Sequence, residues 1–384
     1  MQIYLDNSAT TKPSQAARNA ALSVIENDFG NPSTLYRLGL DAEKVLKSSR
    51  SAVAKAIGAS DKEIFFTSGG TESDNTAIFG VYESRKKRGN RIITTALEHP
   101  AVLRCFEELK RRGADVVIVP SDRNGYPQTE ALKNALTEDT VLVSVMHVNN
   151  ETGAIFPIKE IAETISDFAR KKGIEKPVFH ADCVQSLGKI PVDVKDLGVD
   201  LASFSAHKIH GLKGCGALYV RSGLHIPSFI FGGGQEGGFR SGTENMPGIA
   251  AFGAAASELK IPEGRAAEYL KKHILEEIPD VKINSPEDAC PLILNVSFTG
   301  CRAEVLLHSL EQDEIYVSTG SACSSKVKGS HVLTAMGVSA EDIEGAVRFS
   351  FSSDNTEDQM DVVIDKLKGY VASQRKLRSA FRRR

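Results

Sequence analysis

What this sequence lacks narrows it first. None of its cysteines, at 105, 183, 215, 290, 301 and 323, stands in a Cys-x-x-Cys pair, so neither a zinc ribbon nor a disulfide scaffold is indicated, and no metal site is expected. No apolar run reaches bilayer-spanning length, and Met1-Gln-Ile-Tyr-Leu-Asp6 offers no basic stretch followed by an apolar one. The expected setting is the cytoplasm, away from membranes. There is also little excess of charge: 47 Lys and Arg against 49 Asp and Glu give a formal net charge of −2, which supplies no global drive towards nucleic acid. The exception is a basic tail of Lys376, Arg378, Arg382, Arg383 and Arg384, read here as a solvated end, so direct nucleic-acid binding is not expected. Internal repeats are absent.

What is present is an ordinary globular balance, 41% hydrophobic and 25% charged, in 384 residues, long enough for about two domains. From Glu63 to Val220 short β-branched runs alternate with helical ones, the pattern of an α/β domain around a mostly parallel sheet. The strands expected are Glu63–Thr67, Arg91–Thr95, Val116–Pro120, Val141–Val148, Val178–Ala181, Leu201–Ser205 and Ala217–Val220. Ile158, Ile161, Ile165 and Phe168 recur at helical steps through Ile158–Lys172, and a similar face runs through Ala42–Ile57 to stop at Gly58. After the glycine-rich Gly232–Gly242 the rhythm changes. Helices Tyr269–Ile278 and Ala303–Glu311, strands near Val281–Asn284 and Leu292–Phe298, and a long helix from Glu357 describe a smaller α+β domain.

Several residues are candidates for chemistry. Ser68-Gly-Gly-Thr71-Glu-Ser-Asp-Asn75 joins a strand to a helix, where amides and hydroxyls suit a phosphate, although a helix cap accounts for the same residues. Asp182 ends a strand in the position where open α/β sheets bind ligands; it is equally a turn aspartate or the partner of a protonated ring nitrogen, with Gln185 three residues on. Lys208 follows the strand Leu201–Ser205 in company with Ser205 and His207. Desolvation or a nearby cation lowers a lysine pKa, and the neutral amine forms a Schiff base with an aldehyde cofactor. Spacing alone does not choose between Lys208 and Lys213. Cys323 lies in the small, polar run Ser318-Thr-Gly-Ser-Ala-Cys-Ser-Ser325, which places a thiol within reach of a ligand; the other five cysteines read as structural. Arg348, in Val347-Arg-Phe-Ser-Phe351, either pairs with an internal acid or clamps a carboxylate.

In their order these motifs closely resemble the NifS/IscS-like cysteine desulfurases, class V of the fold-type I transferases dependent on pyridoxal 5'-phosphate (PLP). The resemblance runs from Tyr4-Leu-Asp-Asn-Ser-Ala-Thr-Thr11 through Phe29-Gly-Asn-Pro-Ser33, Thr67-Ser-Gly-Gly-Thr-Glu-Ser73 and Met146-His-Val-Asn-Asn-Glu151 to the Cys323 run and Arg348. It implies a large PLP-binding domain, 15–254, with a mostly parallel seven-stranded sheet, and a smaller α+β domain made of 1–14 and 255–384 that carries the cysteine. It implies that Lys208 holds PLP as a Schiff base and moves the Cα proton, that Asp182 pairs with the pyridine nitrogen, and that Gln185 bonds the ring oxygen. His99 would stack on the ring and assist proton transfer. Gly70, Thr71, Ser205 and His207 would hold the phosphate, joined by Thr243 from the other subunit of a homodimer. Asn150 and Arg348 would receive the carboxylate of L-cysteine, and Cys323 would take its sulfur as a persulfide for an acceptor protein in iron–sulfur cluster or tRNA thiolation pathways.

The sequence departs from the family pattern at Gly70 and Cys183, where alanine is frequent, at Leu212, where proline is common, and in its C-terminal tail. None of these removes a functional group, although Cys183 beside Asp182 reads as oxidisable. Selenocysteine lyase, cysteine sulfinate desulfinase and small-molecule aminotransferase are the neighbouring activities. A catalytically idle scaffold for sulfur transfer is the alternative of another class.

Overall fold

The computed structural model describes residues 2–319 and 329–382. The chain opens with a short strand, β1 (Ile3–Tyr4), and helices α1 (Gln15–Glu26) and α2 (Arg37–Ala56). The alternating region follows: β2 (Ile64–Thr67), α3 (Gly70–Arg85), β3 (Arg91–Thr95), α4 (Pro100–Arg111), β4 (Asp115–Val119), α5 (Thr129–Ala135) and β5 (Thr140–Met146). It continues with α6 (Ile158–Lys172), β6 (Val178–Asp182), β7 (Leu201–Ser205) and β8 (Gly216–Val220), and closes on α7 (Met246–Ser257).

Strands β2 to β8 form one seven-stranded sheet in the order β2-β8-β7-β6-β5-β3-β4. Its pairs are parallel except at β8, which runs antiparallel to both β2 and β7. Helices cover both faces, so the inner strands are apolar almost throughout; every residue of Thr-Val-Leu-Val-Ser-Val-Met in β5 is buried. Helix α6 lays Ile158, Ile161 and Ile165 on the sheet and ends at Gly173, whose φ of +67° makes the left-handed cap. On that face they join Leu46, Val53, Phe179, Phe204 and Phe252; on the other, Ile78 and Val81 of α3 pack with Phe106 and Leu109 of α4.

A third core gathers Leu270 and Ile274 of α8 (Arg265–Glu277), Val296 and Phe298, and Leu306 and Leu310 of α9 (Ala303–Gln312). It includes Ile3 and Leu5 from the N-terminus. Strands β9 (Val281–Ile283) and β10 (Ile293–Phe298) make its small antiparallel sheet with β12 (Ala346–Ser350), in the order β12-β10-β9, while β11 (Ile315–Tyr316) pairs in parallel with β1. Short helices α10 (His331–Ala335) and α11 (Ala340–Glu344) precede β12, and α12 (Glu357–Arg382) closes the described chain. From β1 the N-terminal segment crosses to the large sheet. Asn7 Nδ2 donates to the Ser350 carbonyl at 3.0 Å, and the Thr11 amide donates to the His207 carbonyl at 2.9 Å.

The expected elements are present with shifted ends. Helix α2 begins at Arg37, ahead of Ala42, because its first turn exposes Leu38 and Leu40 and carries no apolar stripe to read. Strand β5 stops at Met146 rather than Val148, where the Met146 amide turns to the Glu98 carboxylate at 3.0 Å. Among the described residues no helix is long and apolar enough to cross a membrane, and no group of side chains is arranged to hold a metal.

Candidate active site

The C-terminal ends of the parallel strands converge on a cavity of about 200 Å³. The turn after β3 brings His99, the end of β5 brings Met146 and Asn150, β6 ends in Asp182, and β7 delivers Ser205, His207 and Lys208. The N-terminus of α3 brings Gly70 and Thr71. This is where an open α/β sheet places ligands, with a helix N-terminus suited to an anion.

Lys208 Nζ donates to the carbonyls of Ser8 at 2.5 Å and Ala9 at 2.8 Å. Burial first, then the charges of Lys189 and Arg348, brings its pKa down to about 8, against the opposing pull of Asp6 and Asp182. Asp182 is buried, and loss of solvent lifts its carboxyl to about 6, even though the Val184 amide donates to Oδ1 at 2.9 Å and Lys208 lies near. The turn aspartate and the charged wall residue are therefore one and the same. Gln185 gives an amide hydrogen of Nε2 to the Ser8 carbonyl at 2.8 Å, which leaves its second N–H hydrogen and a buried Oε1 without a partner among the described residues.

His99 caps α4, its Nδ1 accepting from the Ala101 amide at 3.1 Å, so the proton of the neutral ring belongs on Nε2. Burial, with Lys208 and His331 nearby, holds its pKa down at about 4. His207 pairs with Thr10 Oγ1 at 3.1 Å and is likewise depressed to about 4 by burial first and Lys208 next. Beneath Asp182 the fully buried His180 bonds Ser144 Oγ at 2.8 Å and Ser203 Oγ at 2.9 Å, and its Nε2 lies 3.6 Å from Asp74 Oδ1. Burial and the neighbouring Asp182 hold the Asp74 carboxyl well above its ordinary range.

Of the residues expected at the site, Gly70, Thr71, His99, Asn150, Asp182, Gln185, Ser205, His207 and Lys208 all line this one cavity. Arg348 stands behind it. Its Nη1 donates to the Asn150 carbonyl at 2.9 Å and its Nη2 pairs with Asp6 Oδ1 at 2.7 Å, while its buried Nε has no partner among the described residues. Thr243 is exposed and does not line the cavity; its segment is tied to α3 by Arg240 on Glu72 at 2.9 Å. Cys323 lies outside the described residues. Cys183 is wholly buried, and burial drives its thiol pKa up, which lowers the share of thiolate it can offer to an oxidant. Sequence reasoning missed Asp74, Met146 and Val184 in the wall. Asp74 did carry a signal, since it lies one helical turn beyond Gly70 on the same face.

A family model described as Aminotransferase class-V matches residues 3–363. The chain belongs to the class-V aminotransferase family. Among its class-V relatives, "Cysteine desulfurase IscS" of Clostridium botulinum is 42% identical over 98% of this chain and 96% of that protein. "Cysteine desulfurase IscS" of Methanosarcina thermophila is 42% identical over 94% and 90%. Among solved structures, a "NIFS-LIKE PROTEIN" superposes with a TM-score of 0.87 at 37% identity, covering 97% of this chain and all of that one. A structure of "SspA in complex with cysteine" gives 0.81 at 31% identity over 91% and 99%.

The class-V family uses PLP, and the cavity fits it. A buried acid, a lysine of lowered pKa, a helix N-terminus and two hydroxyl-bearing residues, Thr71 and Ser205, line one cavity, and Gln185 has hydrogen-bonding capacity left over among the described residues.

Proposed function

We propose that this chain is a PLP-dependent cysteine desulfurase that converts L-cysteine to L-alanine and passes the sulfur, as a persulfide of Cys323, to an acceptor protein. The observation that carries the reading is the meeting of Lys208, with its pKa brought down to about 8, and buried Asp182 in one cavity. The naming of relatives over nearly the full chain as cysteine desulfurases supports it.

PLP, when bound, supplies an electron sink that makes the substrate Cα proton acidic and the Cβ–S bond labile. In this reading Asp182 would pair with the ring nitrogen, Gln185 would bond the ring oxygen, and His99 would lie beside the ring. Gly70, Thr71, Ser205 and His207 would hold the phosphate. Lys208 takes the Cα proton, for which an amine titrating near 8 is well matched. Asn150 and Arg348 receive the substrate carboxylate; the Arg348 fork is already aligned by Asp6. The Cys323 thiolate attacks the substrate sulfur, an S–S bond forms as the Cβ–S bond breaks, and the electron pair stays with the carbon skeleton, which leaves as alanine after protonation.

The same reading makes the protein a homodimer, with Thr243 completing the neighbour's phosphate site. Exposed apolar side chains support it: Leu35 is 93% and Phe231 85% exposed, more than a solitary chain comfortably shows to water. It also divides the chain into 15–254 and 1–14 with 255–384, in keeping with the packing of Ile3 and Leu5 in the third core.

The test is the purified protein with L-cysteine and a reductant, where sulfide and alanine are expected in equal amounts. Lys208→Ala should shift the visible absorbance of the cofactor-loaded protein to that of the free aldehyde, and Cys323→Ala should abolish sulfide release. Full turnover by Cys323→Ala would sink the persulfide route, and an unchanged spectrum in Lys208→Ala the cofactor assignment.

A further inference from the structure

A second cavity, of about 460 Å³, shares only Lys208 with the first. Its most telling wall residue is Lys189, 3% exposed, whose Nζ has no hydrogen-bond partner among the described residues. A buried ammonium without a partner is costly, and an anion would relieve that cost. The rest of the wall points the same way. The N-terminus of α1 enters it through Ser14, Gln15 and Arg18, and that helix carries no acid in its first turn to answer its dipole. Lys12, Lys260 and His210 add to the basic side, whereas Glu258 and Asp354, the acids present, are exposed. The lining also includes the apolar side chains of Leu259, Pro262, Leu292 and Phe351. The volume exceeds that of a single inorganic oxyanion, and the apolar part of the lining suits carbon.

We propose that this cavity binds a small organic carboxylate, its charged end between Lys189 and the N-terminus of α1 and its carbon end against Leu259, Leu292 and Phe351. Occupancy is communicated to Lys208. The charges facing that amine are Lys189 and Arg348, which make it less basic, and Asp6 and Asp182, which make it more so; His99 and His207 stay neutral beside it. A carboxylate on Lys189 cancels one of the two cations, so Lys208 holds its proton more firmly when the cavity is filled. The link to Lys208 rests on the cofactor assignment made above, but the binding itself does not.

The experiment is calorimetric titration of propionate into the cofactor-loaded protein at fixed ionic strength, with a parallel pH titration of its visible absorbance. Saturable binding is expected, with the absorbance midpoint displaced upwards by roughly one unit, as for a neighbouring charge. Lys189→Met should lose both effects and Lys189→Arg keep them. Arg18→Gln, which changes only a partly exposed side chain, should weaken propionate roughly tenfold, the loss of one charge-assisted contact. Absence of propionate binding to the wild type overturns the site. Binding that survives in Lys189→Met or is indifferent to Arg18→Gln overturns its location, as it would if propionate sat at Arg348. An equal response to chloride or sulfate overturns the ligand class. Propionate binding without any movement of the absorbance midpoint overturns the coupling to Lys208.

Discussion

At Gly70 a β-carbon would stand 2.6 Å from Val184 Cγ2 and 3.8 Å from Ser205 Cβ. The departure from the alanine frequent in the family is thus half of a pair: the valine fills the space that the missing methyl leaves beside the N-terminus of α3. Gly70→Ala is expected to weaken PLP binding and cost about 1–3 kcal/mol, and Val184→Ala to restore most of that loss. Visible-absorbance titration with PLP and denaturant unfolding of the two single variants and the double variant measure it; a loss in the double variant equal to the sum of the two single losses would show the two residues to be independent. Glu98 offers a second case. Burial lifts its carboxyl to about 8, although Thr95 Oγ1 and the Met146 amide both donate to Oε1. A folded pKa above the unfolded value means that the stability it contributes is complete below about pH 4.5 and is lost as the pH rises through 8. Glu98→Gln mimics the protonated acid, so its Tm should fall less than the wild type's between pH 5 and 9, by several degrees. Parallel melting curves with no divergence would contradict the assignment.

Between elements, a buried contact of Glu236 helps to fix the segment that carries Thr243, beside the tie of Arg240 to Glu72. Glu236 grips Arg50 of α2 with both oxygens at 2.7 Å and accepts the Phe66 amide of β2 at 2.9 Å. Removing one member leaves an arginine without its counter-charge, so Glu236→Ala should destabilise by about 3–5 kcal/mol, read as a lower denaturant midpoint at unchanged slope. A loss below about 1 kcal/mol, the ordinary worth of an exposed pair, would mean that water reaches the site. Helices such as α6 were legible because three- and four-residue spacing marks a buried stripe whatever it packs on. The contact between Arg50 and Glu236 was not, since it joins residues 186 positions apart and neither has a local pattern. Strand β8 shows the same limit in the sheet: Gly-Ala-Leu-Tyr-Val declares a buried strand, while its antiparallel direction depends on the return path of the chain. In the site, side chains at strand ends could be read as candidates. The carbonyls of Ser8 and Ala9 that hold Lys208 could not, because every residue has a carbonyl.

For the molecule as a whole, the exposed position of Thr243 makes a direct test of the homodimer. Thr243→Ala should weaken PLP binding several-fold, and Lys208→Ala should be inactive. Co-refolding the two variants should give activity above the sum of the separate preparations, because one site of each hybrid dimer would regain both residues. No gain on mixing, or a monomer by light scattering, would remove the shared site.

The crossing of the N-terminal segment between the two sheets also sets an order of events in time. Ser8 and Ala9 seat the lysine, yet their neighbour Asn7 is anchored on Ser350, 343 positions further along. During synthesis the large sheet and its lysine emerge long before that anchor exists, so the amine waits without its seat until β12 has been made. A nascent or truncated chain therefore presents Lys208 without the two carbonyls that hold it in the finished fold, so the seat of the free amine is itself a sign that the chain has reached β12.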